Sequence, residues 1–494
     1  MSTKMVNKFY AQFFDSLLPS KKQAYRYYDE SRSYADLNQI MRKVNFFLYK
    51  MQNRTVIIYS DKSPEAYATI FACILSGNIW VPMSLALPSE RNNKIIDIVV
   101  PAIVFIDVDL PGEILSNLES KNVEIVDLRT LVDLEDEKIL ERRTFKPNDI
   151  AYIMFTSGST GTPKGVPMTH ANYINFINNC VDILGFRQGD VFADYHDFAF
   201  DISVFYVFCF PIAGGIIAPV KTPQDRILPL QFMQKNKITI WSSVPSVAGR
   251  IQQIHEKVET SIRVMFLCGE PFALSILKYC QQGMNIPHVY NFYGLTETGV
   301  ENFYHYCESG DVKKFEPYGY VPIGRPLPGN QVDVSDEGEL LLTGCQITPG
   351  YLGEIGKDQF FERDNQIWYH TGDLVDVKDG YYFCKGRMDS QIKLRGYRIE
   401  LMDVEVNLSR HRSVSDVVCF VSEVAGRTIL VAVIVPKDGN VINPLQIKND
   451  LATIIPNYMM PHRFFQTDQF PTNSNGKKDR NAVRRAFIKK LITH

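Results

Sequence analysis

Between Ala151 and His170 the chain reads AYIMFTSGSTGTPKGVPMTH, and these residue types suit the binding of an anion. An apolar strand-like run, Ala151–Phe155, feeds a stretch of Thr, Ser and Gly that closes on Pro163, Lys164 and Gly165. Glycine permits backbone turns that side chains forbid, so successive N–H groups can converge on one point. Hydroxyls add donors, and Lys164 adds a compact positive charge. The chemistry this predicts is a cradle for the phosphates of a nucleotide. The pattern is not GxxxxGK[ST], because Gly165 and Val166 follow the lysine. A flexible surface linker is the rival reading; the apolar strand just before it and the PKG ending oppose that.

Such a loop needs a scaffold, and the surrounding sequence describes one. Thr55–Tyr59, Ile103–Ile106, Glu124–Val126 and Ile238–Ser242 read as short buried strands. Pro64–Leu75 and Leu228–Asn236, with helical spacing, lie between such runs. This alternation predicts parallel sheet covered by helices. From about Gly338 the texture changes to GELLLTG, QIWYHTGD, YYFCKGR and SQIKLRG, short strands parted by Gly and Asp turns. The last hundred or so residues read as an α+β unit: helix Asp403–Leu408, strands Val414–Ser422 and Thr428–Pro436, helix Pro444–Ile455. The predicted class is α/β, with a large N-terminal domain (1–388) of helix-covered sheets plus a β-rich subdomain. A small, mobile α+β domain (389–494) follows.

Composition bounds the function. The chain has 494 residues, 45% apolar and 22% charged, with a formal net charge of −2. That excludes a disordered chain, a collagen-like fibre and a small disulfide scaffold, and gives no global pull toward nucleic acid or membrane. Nine cysteines with no CxxC pair fit reduced thiols in a cytoplasmic protein. The N-terminus MSTKMVNKFYAQFF makes a poor signal peptide, and the most apolar stretch, Phe205–Val220, is too short and too broken to span a bilayer. From Asp389 onward 16 Lys and Arg face 10 Asp and Glu, a net of +6 against −8 for the rest.

The phosphate loop resembles the signature loop of the adenylate-forming superfamily, which includes acyl-CoA synthetases, firefly-type luciferases and amino-acid adenylation enzymes. Further matches follow in the expected order: NFYGLTE (Asn291–Glu297), GELLLTG with PGYLG, YHTGD (Tyr369–Asp373), GRMDSQIKLRGYRIEL (Gly386–Leu401) and NGKKDR (Asn475–Arg480). The resemblance covers nearly the whole chain. It implies that a carboxylate attacks the α-phosphate of Mg-ATP to give an acyl adenylate, and that a thiol then displaces AMP.

The resemblance also assigns roles. Lys477 matches the adenylation lysine that contacts substrate carboxylate and phosphate; an ordinary lysine of the basic tail is the alternative. Glu297 matches the residue that helps hold Mg²⁺, and Thr296 and Thr156 match hydroxyls on phosphate. Ser157, Gly158 and Lys164 belong to the loop itself. Asn291, Phe292, Tyr293 and Gly294 are expected around adenine, Asp373 at the ribose hydroxyls, and Arg387 at the ribose or phosphate side. Asp389 is the implied hinge, about which the small domain withdraws Lys477 and presents the Gly396 loop to the thiol.

Phe200–Phe205, FDISVF, resembles the FDxSV element of amino-acid adenylation enzymes, whose Asp, here Asp201, pairs with the substrate ammonium. A buried carboxylate needs a cationic partner; the alternative is an Asp capping the helix ISVFYVF. The other implied pocket positions are Ile202, Phe205, Ser242, Phe266, Cys268, Phe292, Val300 and Glu301. Three phenylalanines predict a small substrate side chain. FLCGE, VPS, QIKLRGYRIEL and PNYMMP bring the resemblance nearest to free-standing ligases that load D-alanine onto a carrier protein, where a Cys at the Cys268 position favours the D-enantiomer; a plain core cysteine is the alternative. Leu295, in place of the Pro of amino-acid enzymes, and Glu301, in place of a small apolar residue, depart from that pattern. They leave open L-alanine, serine, 2,3-diaminopropionate, or an acyl-CoA synthetase. A non-catalytic nucleotide-binding relative is opposed by Lys164, Glu297, Asp373 and Lys477. No carrier segment follows Arg480, so the phosphopantetheine thiol is expected in trans, and an acidic carrier would be drawn to the basic C-terminal region.

Overall fold

Helix Pro64–Leu75 shows how local chemistry sets the architecture. The Ser63 side chain accepts from the Ala66 N–H, and Pro64 supplies a preset first turn. Every residue of the helix except Glu65 is buried, so it has no polar face and must be covered on all sides. It follows strand Thr55–Tyr59 and precedes strand Ile79–Met83, which pair in parallel. The computed structural model describes all 494 residues except 136, 158–161, 354–355, 389–390, 425–426, 438–440, 472–478 and 493–494.

The chain divides into two units, one of residues 1–85, 98–155 and 165–388, the other of 86–97, 156–164 and 389–494. The first unit is built on three sheets. A six-stranded sheet runs Glu124–Asp127, Ile103–Ile106, Thr55–Tyr59, Ile79–Met83, Ile150–Thr156, Lys164–Thr169. A nine-stranded sheet runs Arg325–Pro326, Phe303–Tyr306, His288–Tyr293, Val264–Leu267, Ile240–Ser243, Val191–Asp194, Ile216–Pro219, Gln23–Tyr27, Glu30–Ser33. Its interior strands are parallel, and antiparallel pairs close both edges. The five-stranded sheet of Asn330–Val334, Glu339–Gly344, Gln366–Lys378, Phe360–Arg363 and Tyr381–Arg387 is antiparallel, the β-rich portion expected after Gly338.

In the second unit, hairpin Gln391–Leu394/Tyr397–Glu400 turns through Arg395 and Gly396, both at positive φ (53° and 82°). Two consecutive left-handed residues are what a two-residue hairpin turn demands. Helix Leu401–Ser409 packs on strands Val414–Val424 and Arg427–Pro436, and Arg463–Gln466 extends that sheet in parallel. Helix Pro444–Leu451 stops four residues short of the expected Ile455: the chain leaves through a turn in which the Ile454 N–H bonds the Leu451 carbonyl, and Pro456 disfavours a helical Ile455. Among the described residues no helix is long and apolar enough to cross a membrane.

Candidate active site

Asp201 sits at the entrance to helix Ser203–Ile212, and its carboxylate is not the helix cap. The N-cap position is Ile202, without a side-chain cap. The first N–H groups are instead satisfied by main-chain carbonyls: Ser203 to Phe200, Val204 to Asp201, Phe205 to Ile202. The Thr296 hydroxyl donates to Asp201 Oδ2 at 2.7 Å. Nearby, the buried Tyr152 phenol finds no partner among the described residues, and burial with the Asp201 charge raises its pKa well above the ordinary value.

The pocket positions read from the sequence are all buried apart from the half-buried Asp201. Ser242 and Phe266 are side by side on parallel strands Ile240–Ser243 and Val264–Leu267. The Phe266 ring meets Phe205 at 4.7 Å between centroids, nearly perpendicular, and Phe292 at 5.1 Å. Such edge-to-face contacts lock rings beyond simple burial. Phe205 also meets Phe186 and Phe192, and Phe292 meets Tyr304, so the rings form one continuous chain. Ile202 and Cys268 are buried alongside, and the fully buried Ser242 hydroxyl has no partner among the described residues.

Residues 294–301 form a tight turn. A side chain at Gly294 would lie 2.1 Å from the Val300 carbonyl and 2.3 Å from the Glu301 Cα, so only glycine fits. Gly299 and Val300 both have φ of 77°. For a β-branched valine that is a strained conformation, which persists only where surroundings enforce it. The enforcing group is Gln346, fully buried, whose amide nitrogen donates to the carbonyls of Gly299 (2.9 Å) and Glu301 (2.8 Å) and approaches that of Thr298 (3.3 Å). The buried Glu301 adds its charge to burial and to Cys209 in raising the Cys180 thiol pKa. Leu295 packs in a core with Phe303, Ile323 and Leu340. Its departure from the sequence pattern therefore reports core packing.

On the nucleotide side, the Tyr351 phenol donates to Glu297 Oε1 at 2.8 Å. Glu297 is 1% exposed. Among the described residues no three or more acidic, His or Cys side chains form a metal cage. A carboxylate oxygen is the ligand type Mg²⁺ prefers, with waters and phosphate oxygens supplying the rest. Asp373 accepts from the Tyr293 phenol at 2.5 Å and from Arg387 at 2.8 Å. The Asp373 turn is shaped from behind: Thr371 donates to the Leu340 carbonyl (2.6 Å), and the Gly372 N–H donates to Glu339 (2.8 Å). Asn291 donates to the Pro322 carbonyl at 2.8 Å.

The structure thus brings together Asp201 with Thr296, Tyr293 with Asp373 and Arg387, and the three phenylalanines with one another. Thr156 ends strand Ile150–Thr156, Ser157 follows it, and Lys164 opens strand Lys164–Thr169. Gly158, the hinge position Asp389 and Lys477 lie outside the described residues. Flanking Lys477, the Asp479 N–H donates to the Pro471 carbonyl at 2.8 Å, and Arg480 pairs with Glu405 of helix Leu401–Ser409. Tyr351, Glu339 and Gln346 escaped the sequence reading. Tyr351 and Glu339 at least stand within motifs quoted above; nothing marks Gln346.

Two family matches account for this arrangement. Residues 17–352 match the AMP-binding enzyme family, and 403–477 match the AMP-binding enzyme C-terminal domain. The chain belongs to the AMP-binding enzyme family, whose members use ATP to adenylate their substrates. A D-alanine–D-alanyl carrier protein ligase of Listeria welshimeri is 30% identical over 490 residues, 93% of this chain and 95% of that protein. A Vibrio cholerae adenylation domain in complex with glycyl-adenosine-5'-phosphate superimposes with a TM-score of 0.81 at 22% identity, covering 98% of each chain. An NRPS protein containing adenylation and PCP domains gives 0.82 at 22% identity, over 97% of this chain and 84% of that one. These two likenesses show the fold.

Proposed function

We propose that this enzyme activates a small amino acid, D-alanine foremost, as its aminoacyl adenylate and passes it to the phosphopantetheine thiol of a separate carrier protein. The carrying observation is Asp201: a half-buried carboxylate that is not the N-cap of helix Ser203–Ile212, accepts from the Thr296 hydroxyl, and lies four residues before Phe205 of the ring cluster. A carboxylate can pair with the α-ammonium that an amino acid brings. Three phenylalanines among the pocket positions favour a small side chain, and the ligase of Listeria welshimeri is named for D-alanine.

In the first step a substrate carboxylate oxygen attacks the α-phosphorus, and the bond to the bridging oxygen breaks to release pyrophosphate. Lys477 is assigned to the meeting anions. Asp201 holds the amine end, so the carboxylate is delivered in one orientation and the reaction becomes effectively unimolecular. Asp373 is assigned to the ribose, and Arg387 to the ribose or phosphate side. Glu297, with Thr296 and Thr156 toward the phosphates, would hold Mg²⁺, which neutralises phosphate charge when bound. In the second step the thiol sulfur adds to the acyl carbon, the carbon–oxygen bond to AMP breaks, and the thiol proton leaves to solvent. A turn of the small domain about Asp389 separates the two steps.

The test is ATP–pyrophosphate exchange with D-alanine, L-alanine, glycine, serine, 2,3-diaminopropionate, propionate and an aryl acid. D-alanine should exchange fastest. Preference for propionate or the aryl acid would refute the proposal, and preference for serine or 2,3-diaminopropionate would assign Glu301 to the substrate side chain.

A further inference from the structure

The segment that delivers Asp201 is tied down by a buried cation outside the site. Lys62 follows strand Thr55–Tyr59 of the six-stranded sheet and is 5% exposed. Its ammonium has three protons, and its acceptors all lie on one stretch of the other sheet's chain. They are the Asp194 carbonyl (2.9 Å), Asp194 Oδ1 (3.0 Å) and the His196 carbonyl. The Tyr67 phenol donates to the remaining Asp194 oxygen. Ser84, just after strand Ile79–Met83, donates to Asp197 Oδ2 at 2.8 Å, while Asp197 Oδ1 accepts from the Ala199 N–H at 2.9 Å. Three side chains from the six-stranded sheet and its helix therefore grip residues 194–199, and Asp201 comes two positions later. On the far side His196 Nδ1 lies 3.3 Å from the Tyr206 phenol, which donates to the carbonyl of Ser242 in the pocket at 3.2 Å.

Burial pushes the Lys62 ammonium pKa down and the Asp194 carboxyl pKa up, and each charge opposes the shift of the other. A buried ion pair is a poor source of stability, since apolar residues of like volume often serve as well. What the pair supplies that apolar packing cannot is registration: one cation fixes two carbonyls and a carboxylate of the same segment. We infer that Lys62 is a positioning residue for amino-acid recognition, setting the 194–199 segment so that Asp201 meets the substrate ammonium. This rests on Asp201 being the ammonium acceptor.

Lys62→Met and Tyr67→Phe test it in ATP–pyrophosphate exchange, with KM measured separately for D-alanine and for ATP. The KM for D-alanine should rise about tenfold in Lys62→Met and about threefold in Tyr67→Phe, with that for ATP within about twofold. Loss of folded enzyme would lower the apparent kcat and leave both KM values in place. In a folded variant, unchanged KM values, or two KM values rising together, overturn the inference. Should Lys62→Met not fold, Tyr67→Phe and Ser84→Ala must show the same split at smaller size, and its absence in both is refuting. Wild-type enzyme that exchanges propionate as well as D-alanine overturns the role of Asp201 and this inference with it. A wild-type preference for D-alanine combined with unsplit variants overturns the inference alone.

Discussion

Replacing Asp201 with asparagine removes one charge and almost nothing else. The amide matches the carboxylate in shape, and its oxygen can still accept from Thr296, which holds Oδ2 at 2.7 Å. Ile202 holds the N-cap position without a side-chain cap, so the helix start does not depend on the charge. What is lost is the partner of the substrate ammonium in a half-buried setting. Truncating one member of a desolvated, hydrogen-bonded charge pair costs about 2–5 kcal/mol. At about 1.4 kcal/mol per factor of ten, kcat/KM for D-alanine should fall roughly 30- to 3,000-fold. The assay is ATP–pyrophosphate exchange with D-alanine and, in parallel, propionate, which lacks the amine. The D-alanine rate should collapse while propionate stays near its wild-type level or improves, because an anion no longer faces an apolar end. A thermal melt confirms that the variant is folded. If kcat/KM for D-alanine changes by less than about threefold, no ammonium pairs with Asp201, and the assignment to amino-acid activation fails.

Other outcomes follow from other parts of the structure. Gln346→Leu orphans the Gly299 and Glu301 carbonyls and releases a strained Val300; urea unfolding should show a loss of about 2–3 kcal/mol, at roughly 1 kcal/mol per hydrogen bond plus the penalty of unmet polar groups. His170, buried beside Tyr10 and Tyr173, and the half-buried His196, beside Lys62 and Arg226, have pKa values lowered by desolvation to about 3 from 6.5. The unfolded chain therefore binds more protons between those values, so stability should fall as pH drops below 6.5, by about 1.4 kcal/mol per unit for each histidine. His170→Phe should reduce that slope in urea titrations at pH 5 to 7, and an unchanged slope would exclude His170 as a source. Lys477→Ala should abolish exchange with D-alanine yet spare thioester formation from supplied aminoacyl adenylate; equal loss of both half-reactions would contradict the hinge account.

The sequence reading succeeded where the physics is local. Thr55–Tyr59 and Ile103–Ile106 are strands over the expected residues, and Pro64–Leu75 is a helix to the residue because Ser63 and Pro64 mark its start chemically. Strand Ile240–Ser243 starts two residues after its expected start, since an apolar run does not say where pairing begins. Asp201 was singled out through the resemblance of FDISVF to an element of amino-acid adenylation enzymes. Its orientation was not legible, because Thr296 is 95 positions away. Lys62 stands in YSDKSP, which reads as an exposed turn, and its partner Asp194 is 132 positions distant. Gln346 looks like any polar loop residue, and only the folded chain shows three carbonyls converging on it.

The linked rings from Phe186 through Phe205, Phe266 and Phe292 to Tyr304 bear on how this enzyme could be redesigned. Shaving one ring to admit a bulkier amino acid would not simply add its volume to the cavity. Its neighbours rest directly against it, so they would swing into the gap and reclaim part of the room while the core loosens. Broadened selectivity therefore calls for coordinated replacement of two or more adjacent rings, and single-site libraries at these positions should yield weakened enzymes sooner than promiscuous ones.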